Sequence, residues 1–115
     1  MSREKLDDLT QIRKWAHQKL IDKGSKVYRA FTQMERAAFS DGALKKKEKE
    51  LIATGISVCL DCESCMQWHI EQAAAAEATY DEVLEAVEVG IEMGGGPATV
   101  SARFALQVME VVFGL

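Results

Sequence analysis

The sequence predicts an all-α protein, built as a single domain of about six helices. Glycine and proline are sparse, with 8 Gly and 1 Pro in 115 residues, and neither occurs between Gly55 and Gly90. No stretch alternates between apolar and polar residues with the period of a strand. Apolar residues instead recur at steps of three and four, as on one face of a helix. A chain of this length has room for one core, so residues 1–115 are expected to form one domain.

The first half of the chain carries three predicted helices, over residues 3–22, 26–39 and 44–60. Gly24 separates the first two helices, and a Ser-Asp-Gly turn precedes the third. The second helix shows an apolar stripe at helical spacing, formed by Val27, Phe31, Met34 and Ala38. The third becomes apolar almost all round over residues 51–60. This pattern predicts that it is the central, buried helix.

The second half carries three more predicted helices, over residues 62–77, 79–93 and from Pro97 to about 113. Asp61 is the expected N-cap of the fourth helix. Thr79 and Glu82 have the spacing of a capping box at the start of the fifth. The sixth helix has two apolar stripes, one of Val100, Phe104, Val108 and Val111 and one of Leu106, Met109 and Phe113. We expect the second stripe to lie in a subunit interface; burial on both sides within one subunit is the alternative.

Charge is distributed unevenly along the chain. Residues 1–50 carry 13 Lys/Arg against 8 Asp/Glu, whereas residues 51–115 carry 1 against 10. Acidic residues interrupt the basic half, so no nucleic-acid partner is expected. The asymmetry suggests complementary packing, either within a subunit or between copies.

Membrane insertion and secretion are not expected either. No run of 18 apolar residues is present. The polar N-terminus does not resemble a signal peptide. We therefore expect a cytoplasmic protein with reduced thiols and no membrane partner.

The chemistry-bearing residues are concentrated in one segment, which contains Cys59, Cys62, Cys65 and His69. One hypothesis is a redox dithiol at the start of a helix. The partial positive charge of a helix N-terminus favours thiolate. His69 lies four residues after Cys65, on the same helical face, where it could exchange a proton with the thiol. Cys62 could then resolve an oxidised Cys65 into a disulfide.

Two alternatives to the dithiol remain open. The three cysteines and His69 have the ligand count of a Cys3His zinc site or an iron–sulfur site. Against this, no Gly or Pro allows the segment to turn around a metal, and we expect no bound metal. The other alternative is that the cysteines are small buried apolar groups. We expect this of Cys59, whose side chain should point into the core and stay reduced.

Glu50, twelve residues before Cys62, completes a recognisable pattern with Cys62-x-x-Cys65-x-x-x-His69. Taken alone, Glu50 could be a surface carboxylate at the end of the charged run 45–50. Together with the apolar segment 51–60, the alanine-rich stretch 73–78 and the capped helix start at Thr79, the pattern resembles the carboxymuconolactone decarboxylase superfamily, in its alkylhydroperoxidase D-like branch. The resemblance covers roughly residues 40–110.

This resemblance implies an all-helical oligomer that reduces peroxides with a cysteine pair. Carried over to this chain, it implies a proton relay of Glu50, Cys62, Cys65 and His69. An external dithiol, such as a lipoylated protein or thioredoxin, would re-reduce the pair, without a bound cofactor. The resemblance implies a homohexamer of three dimers, with a trimer as the next possibility. One departure is Ser64, where family peroxidases often carry His. We therefore expect a thiol-dependent peroxidase or disulfide oxidoreductase; the alternatives are a non-catalytic redox-sensing or scaffold protein and a metal-binding protein.

Overall fold

A computed structural model describes residues 3–114, which form six α-helices and no strand. The helices are α1 (Glu4–Asp22), α2 (Lys26–Ala38), α3 (Lys46–Leu60), α4 (Glu63–Ala75), α5 (Tyr80–Gly94) and α6 (Gly96–Val112). Every boundary lies within two residues of its predicted position, and the all-α class is confirmed. Within the described range, no helix is both long and apolar enough to cross a bilayer. Met1, Ser2 and Leu115 lie outside this range.

The chain divides into two compact units, the first ending at Ser40 and the second beginning at Asp41. The first unit contains α1 and α2, joined at Gly24 with φ +65°. His17 and Tyr28 connect the two helices through an edge-to-face ring contact and a hydrogen bond between Nδ1 and the phenol oxygen. No residue of α2 is buried. The predicted apolar stripe of α2 exists, but it faces outward.

The second unit is arranged around α3, which packs against α4, α5 and α6. The buried residues of α3 are mostly small or polar: Glu50, Thr54, Gly55, Ser57 and Val58. The large apolar residues Ile52, Ile56 and Leu60 lie on the opposite side and are between 51% and 69% exposed. The helix is central, as predicted, but the prediction that it is buried all round is wrong.

Close packing of α3 on α5 explains why small residues line the inner face of α3. A Cβ atom added at Gly90 would lie 2.5 Å from the carbonyl oxygen of Gly55. One added at Gly55 would lie 2.9 Å from the carbonyl oxygen of Ala86. Side chains at these positions would force the two backbones apart. The larger apolar side chains of α3 therefore point away from this crossing.

The sequence signals at the ends of α5 are confirmed. Thr79 and Glu82 form the capping box in both directions. The pKa of Glu82 is lowered, first by the backbone N–H of Thr79 and then by Lys47 on α3. Gly95, with φ +72°, ends α5 and begins α6, and Pro97 lies in the first turn of α6.

The two predicted stripes of α6 do not correspond to two separate faces. Phe104 and Val108 from the first stripe and Met109 from the second are all buried within the chain. Val100 is 55% exposed and Leu106 is 37% exposed. Most of the apolar surface of α6 is therefore covered without a second subunit.

Replacing Gly90 with alanine is expected to lower the free energy of unfolding by about 1–3 kcal/mol, the usual cost of overpacking a core. Gly96→Ala is the matched control, because its added Cβ meets no atom within 4 Å. It should leave stability unchanged or raise it by up to about 1 kcal/mol. Urea denaturation followed by circular dichroism measures both. Equal midpoints for the two variants would contradict the close crossing.

Candidate functional site

The turn between α3 and α4 places the cysteine pair. Asp61 adopts the left-handed conformation, with φ 53° and ψ 44°, and terminates α3. Its carboxylate accepts a hydrogen bond of 2.9 Å from the hydroxyl of Ser101 on α6. Cys62 then becomes the N-cap of α4. The prediction that Asp61 caps α4 is therefore wrong, because its backbone closes the preceding helix.

Cys62 and Cys65 form a disulfide within the first turn of α4, with Cα atoms 5.2 Å apart. The Sγ atom of Cys62 also accepts the backbone N–H of Cys65 at 3.2 Å. This bond occupies the place that a serine or aspartate oxygen takes in an ordinary N-cap. Both cysteines are partly buried, whereas Ser64 between them is exposed. The sulfur atoms therefore lie where a helix N-terminus stabilises negative charge.

Cys59 belongs to a different surface. It is a free, exposed thiol, and its Sγ donates to the carbonyl oxygen of Gly90 at 3.1 Å. The prediction that its side chain points into the core is wrong, because the outer side of α3 faces an open groove along α5. Among residues 3–114, no cluster of three or more His, Cys, Asp or Glu side chains is arranged to hold a metal ion.

Glu50 and His69 meet across the α3–α4 interface. Nδ1 of His69 lies 2.7 Å from Oε1 of Glu50, and Nζ of Lys46 lies 2.7 Å from Oε2. The side chain of Glu50 is only 2% exposed, against 15% for His69 and 42% for Lys46. Glu50 is therefore not the surface carboxylate that its charged surroundings suggested. Both of its oxygens are bound by nitrogen donors.

The same helical stripe carries the histidine and the second cysteine. Cys65 and His69 are one turn apart on α4, which places their side chains on one face. Glu50 fixes the ring through Nδ1, so Nε2 is the nitrogen that would exchange a proton with a reacting group. The arrangement combines a disulfide, a histidine and a carboxylate that orients the histidine.

Two residues that the sequence analysis did not single out support this arrangement. Lys46 lies one turn before Glu50, and this spacing was a readable signal for an ion pair. Ser101 holds the Asp61 side chain from α6, forty residues away along the chain. No local pattern in the sequence could have predicted that second contact.

Comparison with known proteins identifies this class of helical protein. The model of the carboxymuconolactone decarboxylase family matches residues 25–108, and the chain belongs to this family. A relative from Paracoccus denitrificans, uncharacterised protein 4 of the cox locus, is 34% identical over 79% of this chain and 82% of its own length. An uncharacterised protein of Cupriavidus necator is 37% identical over 72% of this chain and 74% of its own.

Solved structures share the fold. A carboxymuconolactone decarboxylase family protein from Legionella pneumophila, crystallised in its apo form, superposes with a TM-score of 0.90 and 32% identity, covering 96% of this chain and 98% of its own. A Thermotoga maritima protein of the family, proposed to be involved in an antioxidative response, gives a TM-score of 0.85 at 23% identity, covering 93% of this chain and 91% of its own. At 23% identity, the similarity to the Thermotoga maritima protein is a similarity of fold.

Air-oxidised protein is expected to contain the Cys62–Cys65 disulfide with Cys59 reduced. Cys59 is held by Gly90 on the α5 side of α3, away from the α4 turn. Alkylation under denaturing conditions without reductant, followed by peptide mass mapping, should find one alkylated cysteine per chain, at position 59. A Cys59–Cys62 bridge as the main species would contradict this assignment.

Proposed function

We propose that this protein is a thiol-dependent peroxidase that cycles through the Cys62–Cys65 disulfide. The observation that carries the proposal is the combination of that disulfide with a histidine held by a buried carboxylate. A disulfide that only braces a fold needs no oriented histidine one turn away. In a peroxide-reducing enzyme, a histidine in this position can supply the proton that the departing oxygen requires.

In the proposed cycle the thiolate of Cys65 attacks one peroxide oxygen and the O–O bond breaks. The sulfur becomes a sulfenic acid, and the remaining oxygen leaves as an alcohol or water after receiving a proton from His69. Glu50 holds the ring in place through Nδ1. Cys62 then attacks the sulfenic sulfur, forming the disulfide and releasing water. The helix N-terminus favours thiolate at Cys62, the form required for this attack.

An external dithiol completes the cycle. One of its thiolates attacks the disulfide to form a mixed disulfide, and its second thiol releases the enzyme with both cysteines reduced. A lipoylated protein or thioredoxin supplies this chemistry. Ser64 provides a hydroxyl where family peroxidases often carry a histidine. A hydroxyl can relay a proton but does not titrate near neutrality, so the proposal assigns the proton to His69.

A general disulfide reductase and a non-catalytic redox protein are the competing functions. Steady-state assays with hydrogen peroxide and with organic hydroperoxides, using dihydrolipoamide or thioredoxin as donor, separate the three. Turnover that depends on peroxide supports the proposal. Donor oxidation with a disulfide substrate but not with peroxide would identify a reductase, and absence of both would identify a non-catalytic protein.

Cys65→Ser and Cys62→Ser are each expected to abolish turnover, because one thiol cannot complete the cycle. His69→Gln should slow it by roughly 10²–10⁴-fold, the usual effect of losing a general acid–base group. The same change at the other histidine, His17→Gln, is the control, because His17 is exposed on α1. Full activity in His69→Gln would disprove the proton relay while leaving the dithiol chemistry intact.

Lys46→Met is expected to reduce turnover less than His69→Gln does. The methionine keeps the apolar part of the side chain but leaves Oε2 of Glu50 without this donor, so the carboxylate is freer to turn away from His69. Lys45→Met is the matched control, because Lys45 is an exposed neighbour at the N-cap of α3. The pH profile of kcat should change in Lys46→Met and remain unchanged in Lys45→Met. Identical profiles would show that Lys46 has no part in positioning Glu50.

We also propose that the protein functions as a homo-oligomer, with the hexamer implied by the family resemblance as the expected form. Large apolar side chains remain exposed on α2, α3 and α5 in the single chain. Covering such surface is the usual reason for closed assembly.

A further inference from the structure

An open apolar groove runs along α3 and α5, outside the relay. It has a volume of about 540 Å³, and almost all of its lining surface is apolar. Ile52, Ile56 and Leu60 form one wall, and Val89 and Met93 form the other. These five side chains are between 51% and 74% exposed in the single chain. A continuous patch of this kind on a soluble protein marks a binding surface.

The complementary shape occurs on α2. Val27, Phe31 and Met34 follow each other at i, i+4 and i+7 and are 82%, 53% and 60% exposed. This spacing is the one with which amphipathic helices enter apolar grooves. The stripe extends over roughly 10 Å and the α3 wall from Ile52 to Leu60 over roughly 12 Å, at 1.5 Å per residue. The ridge on α2 and the α3 wall of the groove are therefore of similar length.

Charge favours the same pairing. Four exposed acidic residues follow one stripe of α5 beside the groove: Asp81, Glu85, Glu88 and Glu92. No Lys or Arg occurs anywhere in α5, whereas α2 has three basic residues and one acid. Residues 1–40 carry 9 Lys/Arg against 5 Asp/Glu, and residues 41–115 carry 5 against 13. The unit that carries the ridge is thus basic and the unit that carries the groove is acidic, which favours their association.

We propose that α2 of one copy of this chain docks into the α3–α5 groove of a second copy. Both surfaces are exposed in the single chain, and their apolar patterns, lengths and charges match. The end of the groove at Leu60 lies two residues before Cys62, so the docked helix borders the turn that carries the disulfide. The proposal does not depend on peroxidase activity.

Cys59 provides a reporter, because it lines the groove and is free while Cys62 and Cys65 are joined. In oxidised wild-type protein at micromolar concentration, maleimide should label Cys59 on the order of tenfold more slowly than in Phe31→Glu, which places a charge in the ridge. Sedimentation equilibrium should show a correspondingly smaller assembly for Phe31→Glu. Gln33→Glu, also on the exposed surface of α2, is the control and should behave as wild type.

A second variant covers the case in which Phe31→Glu fails to fold, which circular dichroism would detect. Ile56→Glu changes the opposite side of the contact and should likewise reduce the assembly and expose Cys59. A wild-type monomer at micromolar concentration would overturn the proposal. So would an assembly that persists in both variants, or dissociation in either variant without faster labelling of Cys59.

Cross-linking identifies the occupant. Chains carrying Phe31→Cys and Cys59→Ser, mixed with isotope-labelled wild-type chains, should link to wild-type Cys59 through a short bismaleimide. Peptide mass analysis should then find the link between chains of different isotope content. Absence of such a link, in a mixture that forms hetero-oligomers, would overturn the pairing of α2 with this groove. A second experiment tests docking within one chain. It repeats the mixture with Phe31→Cys chains that retain Cys59. If most links join peptides of the same isotope content, the occupant of the groove is not a second copy.

Discussion

The carboxylate of Glu50 is the constraint around which α3 and α4 are arranged. A buried charge without partners costs several kcal/mol, so its burial requires donors at both oxygens. Lys46 supplies one from its own helix while its charged end stays in contact with water, and His69 supplies the other from α4. The rotation of α4 is thereby fixed, and with it the direction in which Cys65 points. The electrostatic requirement of one buried group therefore contributes to the geometry of the sulfur site, together with the contacts of the α3–α4 turn.

Small residues on the inner face of α3 make this arrangement compatible with tight packing. Thr54 and Ser57 are buried, and each hydroxyl donates to a carbonyl of its own helix, of Glu50 and Ala53 respectively. Their burial therefore leaves no polar atom without a partner. Gly55 lets α5 approach within backbone contact. The large apolar residues are displaced to the outer side, which creates the groove as a consequence of how the interior is packed.

This displacement explains where sequence reasoning succeeded and where it failed. Helix positions, the capping box at Thr79 and the placement of Pro97 depend on neighbours along the chain, and these were predictable. The pairing of Glu50 with His69 was implied by the family resemblance, which rests on the spacing of Glu50, the two cysteines and His69. The direction of Cys59 and of the α3 apolar residues depends on the closeness of the α3–α5 crossing. The apolar content of α3 does not indicate how closely it approaches α5. A helix that is apolar on every side can pack with its large side chains facing either toward α5 or away from it.

The anchoring of the α3–α4 turn favours turnover over signalling as the use of the disulfide. The turn is held by the Asp61–Ser101 hydrogen bond and by the backbone bond from Cys62 to Ser57, neither of which involves a sulfur atom. The hydrogen bond between Glu50 and His69 likewise joins the bodies of α3 and α4. Opening the disulfide breaks neither of these bonds, because no sulfur atom takes part in them. A redox sensor needs an element that changes state with oxidation. A catalyst needs a site that keeps its geometry through each cycle, and this turn meets that second requirement.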